Sequence, residues 1–159
     1  MSGPAGLHAV LDRDDVVLGC RASSMHEAIE FVGRRLVERG SVDDEYVEAM
    51  KKREEVVSTY LGNGVALPHG VLESKQAVRR TAIVVAQYPE GVEWGEGTAH
   101  LVVGLAANGD EHVTVLSQLA EVLQDTELCE RLWRTDDADF VYAQLTREGS
   151  DDDEDQEDV

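Results

Sequence analysis

A histidine sits between a proline and a glycine at Pro68-His69-Gly70, closing the run Thr59-Tyr60-Leu61-Gly62-Asn63-Gly64-Val65-Ala66-Leu67. Imidazole is the side chain whose ordinary pKa lies nearest neutrality, so His69 can act as a nucleophile without strong perturbation. Proline fixes φ on one side and glycine frees it on the other, which aims the ring outward and lets another backbone come close. Two further residues could share one phosphate or other anion with it. His112 opens an amphipathic helix after Asn108-Gly109-Asp110-Glu111, and a helix N-terminus attracts anions and favours neutral imidazole. Arg53 closes an earlier helix just before the loop of Gly62 and Gly64, where a guanidinium could grip phosphate oxygens by paired hydrogen bonds. Each also has an ordinary reading. His69 could be a turn residue, His112 a first-turn residue, and Arg53 the partner of Glu54, Glu55 or another surface acid.

Other chemistries find less support. His69 and His112 lack a third ligand at zinc spacing. No G-x-S-x-G elbow accompanies the histidines. No Gly-Lys-Ser/Thr follows Gly62-Asn63-Gly64, so direct use of ATP is not indicated. His8, His26 and His100 stand outside any constellation and read as surface or structural residues.

The elements that must position these residues can be read from periodicity. Residues 15–19 form a strand candidate. Ser24 and Glu27 have the spacing of a capping box. The helix after them buries Met25, Ala28, Ile29, Val32 and Leu36, and Gly40 ends it. Ser41 or Asp43 caps a second helix over 44–56, with Val47 and Met50 inward. A short strand precedes Pro68. Residues 81–87 and 101–106 are apolar and read as buried strands, with a turn at Tyr88-Pro89-Glu90-Gly91. Helices are expected over 112–124, with Val115, Leu116, Leu119, Val122 and Leu123 on one face, and then over 126–134 and 137–146. Strands interleaved with helices predict an α/β fold, a sheet covered on both faces. The pattern leaves parallel and mixed sheets open.

A chain of 159 residues suits one domain with a sizeable core. It reads as a domain over 1–147 and a tail over 148–159 that holds eight acids and no base, a block expected to be disordered. The net charge is −19, and without the tail 25 acids still face 14 bases. Such a surface argues against nucleic acid and anionic membranes as partners. It also fits a cytoplasm of very high salt, beside the plainer reading of acidic solubility. No apolar run approaches a membrane span, and the N-terminus lacks the marks of a signal peptide. Cys20 and Cys129 fit free thiols in a reducing compartment. Cytoplasmic location is the expectation.

Four segments in order carry a resemblance: Glu45-Tyr46-Val47-Glu48-Ala49-Met50 with Arg53-Glu54; Thr59 through Gly64 to Pro68-His69-Gly70; Gln87-Tyr88-Pro89-Glu90-Gly91-Val92; and Glu111-His112-Val113. The chain resembles the mannitol/fructose-type enzyme IIA domain of the phosphoenolpyruvate-dependent sugar phosphotransferase system, most closely its mannitol branch, over roughly residues 16–145. The resemblance implies a three-layer α/β/α sandwich with a mixed sheet. It implies that His69 takes a phosphoryl group from the carrier protein HPr and passes it to a cysteine of enzyme IIB, which works with a membrane enzyme IIC in uptake of mannitol or fructose. His112 and Arg53 would line the site, with Gly62, Asn63, Gly64, Pro68 and Gly70 in its loop, and no metal or cofactor is called for. An apolar docking ring of Leu67, Val71 and Leu72 is expected around His69. Asn63 departs from the mannitol branch, which often has an acid there. Gly-Asn-Gly is common in the fructose and nitrogen-regulatory branches. The alternative is a regulatory protein whose binding is switched by phosphorylation of His69.

Overall fold

The structure, a computed structural model, describes residues 10–70, 78–107 and 111–146, the last stretch from residue 115 on for side chains. The 148–159 tail, His8, Val71 and Leu72 lie outside the described residues.

The described elements run β1 (Leu11–Val17), α1 (Met25–Glu38), α2 (Asp44–Val56), β2 (Tyr60–Gly62), β3 (Val65–Ala66), β4 (Ala82–Glu93), β5 (Thr98–Ala106), α3 (Glu111–Leu123), α4 (Thr126–Arg134) and α5 (Ala138–Thr146). The sheet order is β1-β4-β5-β3-β2. The pairs β1·β4 and β3·β5 are parallel, whereas β4·β5 and β2·β3 are antiparallel, so the sheet is mixed. Alternate side chains of β4 and β5 feed two cores. Val84, Ala86 and Val102 pack with Ala28, Ile29, Val32 and Met50 of α1 and α2. Ile83, Val85, Val103 and Leu105 pack with Val115, Leu119, Leu132 and Val141 of the last three helices. The result is the expected α/β/α sandwich.

Local signals explain the first helices. Ser24 caps α1 by accepting from the Glu27 N–H at 3.1 Å. The returning half of the capping box is displaced by one residue, because Glu27 accepts from the Ser23 N–H and hydroxyl. At the other end Gly40 has φ +79° and the Ser41 N–H reaches the Leu36 carbonyl, a Schellman closure. Asp43 takes the N-cap position of α2, but its carboxylate turns to Arg79 instead of the helix amides.

The strands differ most from expectation: β5 starts three residues early at Thr98, and β2 adds a strand that was not expected. β1 starts four residues early, and Asp12, Arg13 and Asp14 are exposed within it. Its backbone pairs with β4 while Arg39 and Asp139 take up the charges of Asp12 and Arg13. β4 runs straight through the expected turn at Tyr88-Pro89-Glu90-Gly91. Its pairing with β1 ends at Ala86 and its pairing with β5 shifts between Gln87 and Val92. Pro89 therefore falls at an irregularity where no ladder needs its missing N–H.

Candidate functional site

His69 follows β3 and lies beside the C-terminal end of β5, where it bridges Leu105 in parallel register. The Leu105 N–H donates to the Pro68 carbonyl at 3.0 Å. The Tyr46 hydroxyl donates to the Leu105 carbonyl at 2.8 Å and accepts from the Gly70 N–H at 2.9 Å. One phenol of α2 thereby ties Gly70 to β5, while the Leu105 N–H holds Pro68 on the other side of the histidine. Burial pushes the Tyr46 pKa up to about 12, so the phenol remains a neutral donor at working pH.

The ring itself is oriented from within its turn. His69 Nδ1 lies 2.7 Å from the Leu67 carbonyl. A carbonyl can only accept, so Nδ1 carries the hydrogen and the neutral ring has its lone pair on Nε2. The Leu67 N–H donates in turn to the Thr59 carbonyl at 3.0 Å. Thr59 is held by Glu54, which accepts from the Thr59 N–H at 2.7 Å and from its hydroxyl at 2.5 Å. Glu54 also accepts from Trp94 Nε1 at 2.9 Å.

Arg53 occupies the last turn of α2, and its guanidinium donates to the Val57 carbonyl at 2.6 Å. It does not take either adjacent acid: Glu54 is bound to Thr59 and Trp94, and Glu55 lies 3.9 Å from His26. His112 falls in the first turn of α3, whose start at Glu111 follows the end of β5 at Ala106. Its imidazole lies outside the described side chains. In sequence, the helix that carries His112 is thus the next element after the strand end that bridges His69.

Gly62, Asn63 and Gly64 make the β2–β3 turn, with φ of +104°, +50° and +74°. Positive φ at Asn63 and Gly64 suits the mirror-image turns of tight hairpins. Several of the turn's polar groups bond within the protein. Asn63 Nδ2 donates to the Leu123 carbonyl at the end of α3 at 2.6 Å. The Gly64 N–H donates to the Tyr60 hydroxyl at 3.2 Å, and its carbonyl accepts from the N–H groups of His100 and Leu101. His100 also stacks on Trp133, with ring centroids 4.6 Å apart.

The docking ring requires one correction. Leu67 is 1% exposed and packs in the core under the last three helices, because it alternates with Ala66 across the sheet. Among the described residues, the large apolar side chains left exposed are Val56, Val57 and Leu61, near Arg53 and the hairpin in sequence.

Sequence reasoning gave Tyr46, Glu54, Thr59, Trp94 and Leu105 no part in holding the site. One signal was available. Tyr46, Met50 and Glu54 repeat every four residues, so a carboxylate continues the buried stripe of α2.

Residues 9–148 match the family described as "Phosphoenolpyruvate-dependent sugar phosphotransferase system, EIIA 2". The mannitol-specific EIICBA component of Pasteurella multocida is 47% identical over 140 residues, covering 86% of this chain and 22% of that protein. The chain thus spans about a fifth of the length of such relatives. The mannitol-specific phosphotransferase enzyme IIA component of Staphylococcus aureus is 39% identical over 132 residues, covering 83% of this chain and 92% of that one. Among solved structures, enzyme IIAMTL of Escherichia coli, in complex with phosphorylated enzyme IIBMTL, superposes with a TM-score of 0.81 at 41% identity, covering 86% of this chain and 98% of that chain. With a family match along nearly its whole folded length, and likeness in sequence and fold to the mannitol-type domains, the chain belongs to the EIIA 2 family of the phosphoenolpyruvate-dependent sugar phosphotransferase system.

Proposed function

We propose that His69 is the phosphorylated residue of a mannitol-type phosphocarrier. Its Nε2 takes a phosphoryl group from the phosphohistidine of HPr, and the phosphohistidine so formed gives the group to a cysteine thiolate of enzyme IIB. In the second step the P–N bond breaks as the P–S bond forms, and the imidazole leaves neutral. The observation that carries this reading is the 2.7 Å contact of Nδ1 with the Leu67 carbonyl, which leaves the lone pair for attack on Nε2. The likeness to a IIA chain solved with phosphorylated IIB supports the acceptor. The mannitol-specific relatives support mannitol as the sugar, with a membrane enzyme IIC downstream on the cytoplasmic side.

Phosphoryl transfer depends on in-line positioning and on compensating charge spread over three oxygens. Arg53 supplies that charge. Among the described residues its guanidinium makes one hydrogen bond, so donors remain for a phosphate. His112 and the start of α3 supply more donors. Val56, Val57 and Leu61 offer the protein partners an apolar rim. We read the hairpin of Gly62, Asn63 and Gly64 as the scaffold of the phosphate loop, with Pro68 and Gly70 fixing the histidine. The acidity of the body we attribute to a high-salt cytoplasm.

The test is incubation with phosphoenolpyruvate, enzyme I and HPr, followed by intact mass measurement. One acid-labile phosphoryl adduct is expected, absent from His69→Ala. His112→Ala should fold and accept the group more slowly. An adduct that persists in His69→Ala overturns the site. Asn63 between two glycines favours a second reading, phosphorylation as a regulatory switch. Phosphoprotein that gives nothing to a mannitol enzyme IIB would select it.

A further inference from the structure

Glu54 is 5% exposed, on the buried face of α2. Burying a carboxylate costs several kcal/mol unless its oxygens are well bonded. Here three donors converge on it: the Thr59 N–H, the Thr59 hydroxyl and Trp94 Nε1. They come from the residue just before β2 and from the turn between β4 and β5, so a single side chain joins three parts of the fold. Such a cluster can serve stability alone. Its connections point further.

We propose that Glu54 is a positioning residue for phosphoryl transfer at His69, acting through Thr59 and Leu67 to hold the Nδ1–H tautomer. By fixing the Thr59 amide, Glu54 sets where the Thr59 carbonyl stands. That carbonyl receives the Leu67 N–H, and the Leu67 carbonyl receives His69 Nδ1. The steps fall on different peptide groups, so the link is geometric rather than a chain of polarised bonds. The same anchor closes the loop that brings the Val57 carbonyl back to Arg53. Two residues of the site therefore depend on one carboxylate that touches neither the phosphate nor the ring. The proposal rests on the phosphocarrier reading, but its first readout does not.

That readout is the His69 tautomer, followed by NMR of ¹⁵N-labelled imidazole in the whole protein without phosphate donors. Wild type should be almost wholly Nδ1–H. Glu54→Met removes all three acceptor contacts at similar length, and should give a mixed tautomer. Its phosphorylation by phospho-HPr should slow on the order of tenfold, as expected for a misdirected reacting group. Glu54→Gln is the rescue. Its oxygen can serve both N–H donors while its NH₂ faces the Thr59 hydroxyl, so it should retain most of the tautomer and the rate. If Glu54→Met does not fold, Thr59→Val replaces it, with a smaller shift in the same direction. An unchanged tautomer in a folded variant overturns the proposal whatever the rate, and so does a shifted tautomer with an unchanged rate. Should wild type accept no phosphoryl group, the carrier reading falls, and the tautomer alone decides whether Glu54 positions the ring.

Discussion

At the scale of single residues, the site is held by neutral hydrogen bonds around one imidazole, with one buried carboxylate behind them. Tyr46 is the most economical of these supports. Its hydroxyl serves the Leu105 carbonyl and the Gly70 N–H together, and its ring is buried in the core under α1 and α2. Tyr46→Phe should keep that packing and leave two backbone groups short of a partner. The expected cost is about 1–3 kcal/mol, measured by chemical denaturation. Transfer from phospho-HPr should slow as well, because Gly70 is then less firmly held. Full stability in the phenylalanine variant would show that neither backbone group needs the phenol. His69, Arg53 and His112 are proposed for the site from residue type and placement. Tyr46 and Glu54 are not, since a tyrosine or glutamate on a helix stripe shows its partner only once the helix is docked on the sheet. The partners Leu105 and Thr59 lie 59 and five positions away in sequence.

At the scale of elements, helices were more legible than strands, for a physical reason. A helix states its buried face within its own sequence, and α1, α2 and α4 follow their apolar stripes and end signals. A strand takes its partners from elsewhere. The charges of Asp12, Arg13 and Asp14 conceal β1, because ion pairs to distant elements neutralise them. Pro89 mimics a turn in β4 because the neighbouring ladders happen to stop beside it. The β2–β3 hairpin shows the same dependence at short range. Its glycines mark a turn, but the tightest constraint comes from α4. A Cβ on Gly64 would stand 2.3 Å from the Trp133 ring. Gly64→Ala thus combines a left-handed backbone, φ +74°, with a clash against a large ring that also stacks on His100. A loss of about 2–4 kcal/mol is expected, from overpacking and strain together. The hairpin leads into the His69 turn, so the variant should also be phosphorylated more slowly at temperatures where it remains folded. A thermal melt indistinguishable from wild type would mean that Trp133 moves aside freely and does not brace the hairpin.

At the scale of the whole molecule, two electrostatic effects oppose each other. The described ion pairs tie elements together: Arg35 of α1 and Arg39 at its C-cap meet Asp15 of β1, and Lys51 of α2 meets Glu30 of α1. Salt weakens such pairs. The chain also carries 33 acids against 14 bases, and salt relieves the repulsion among the excess carboxylates. A domain of this size has a radius of gyration of about 15 Å. The Debye length is about 30 Å at 0.01 M salt and about 3 Å at 1 M. In low salt every carboxylate therefore feels most of the others, whereas in high salt only neighbours interact. Exposed pairs contribute little individually, and the imbalance of charge extends over the whole chain, so relief of repulsion should win. The melting temperature is expected to rise steadily from 0.01 M to 1 M sodium chloride. The same series on a chain ending at residue 147 separates the two sources of charge. If the slope survives truncation, the body of the domain is adapted to salt. If it disappears, the acidity that matters is confined to the last twelve residues. A melting temperature that falls with salt in both chains would show that the ion pairs outweigh the repulsion, and the high-salt reading of this surface would be lost.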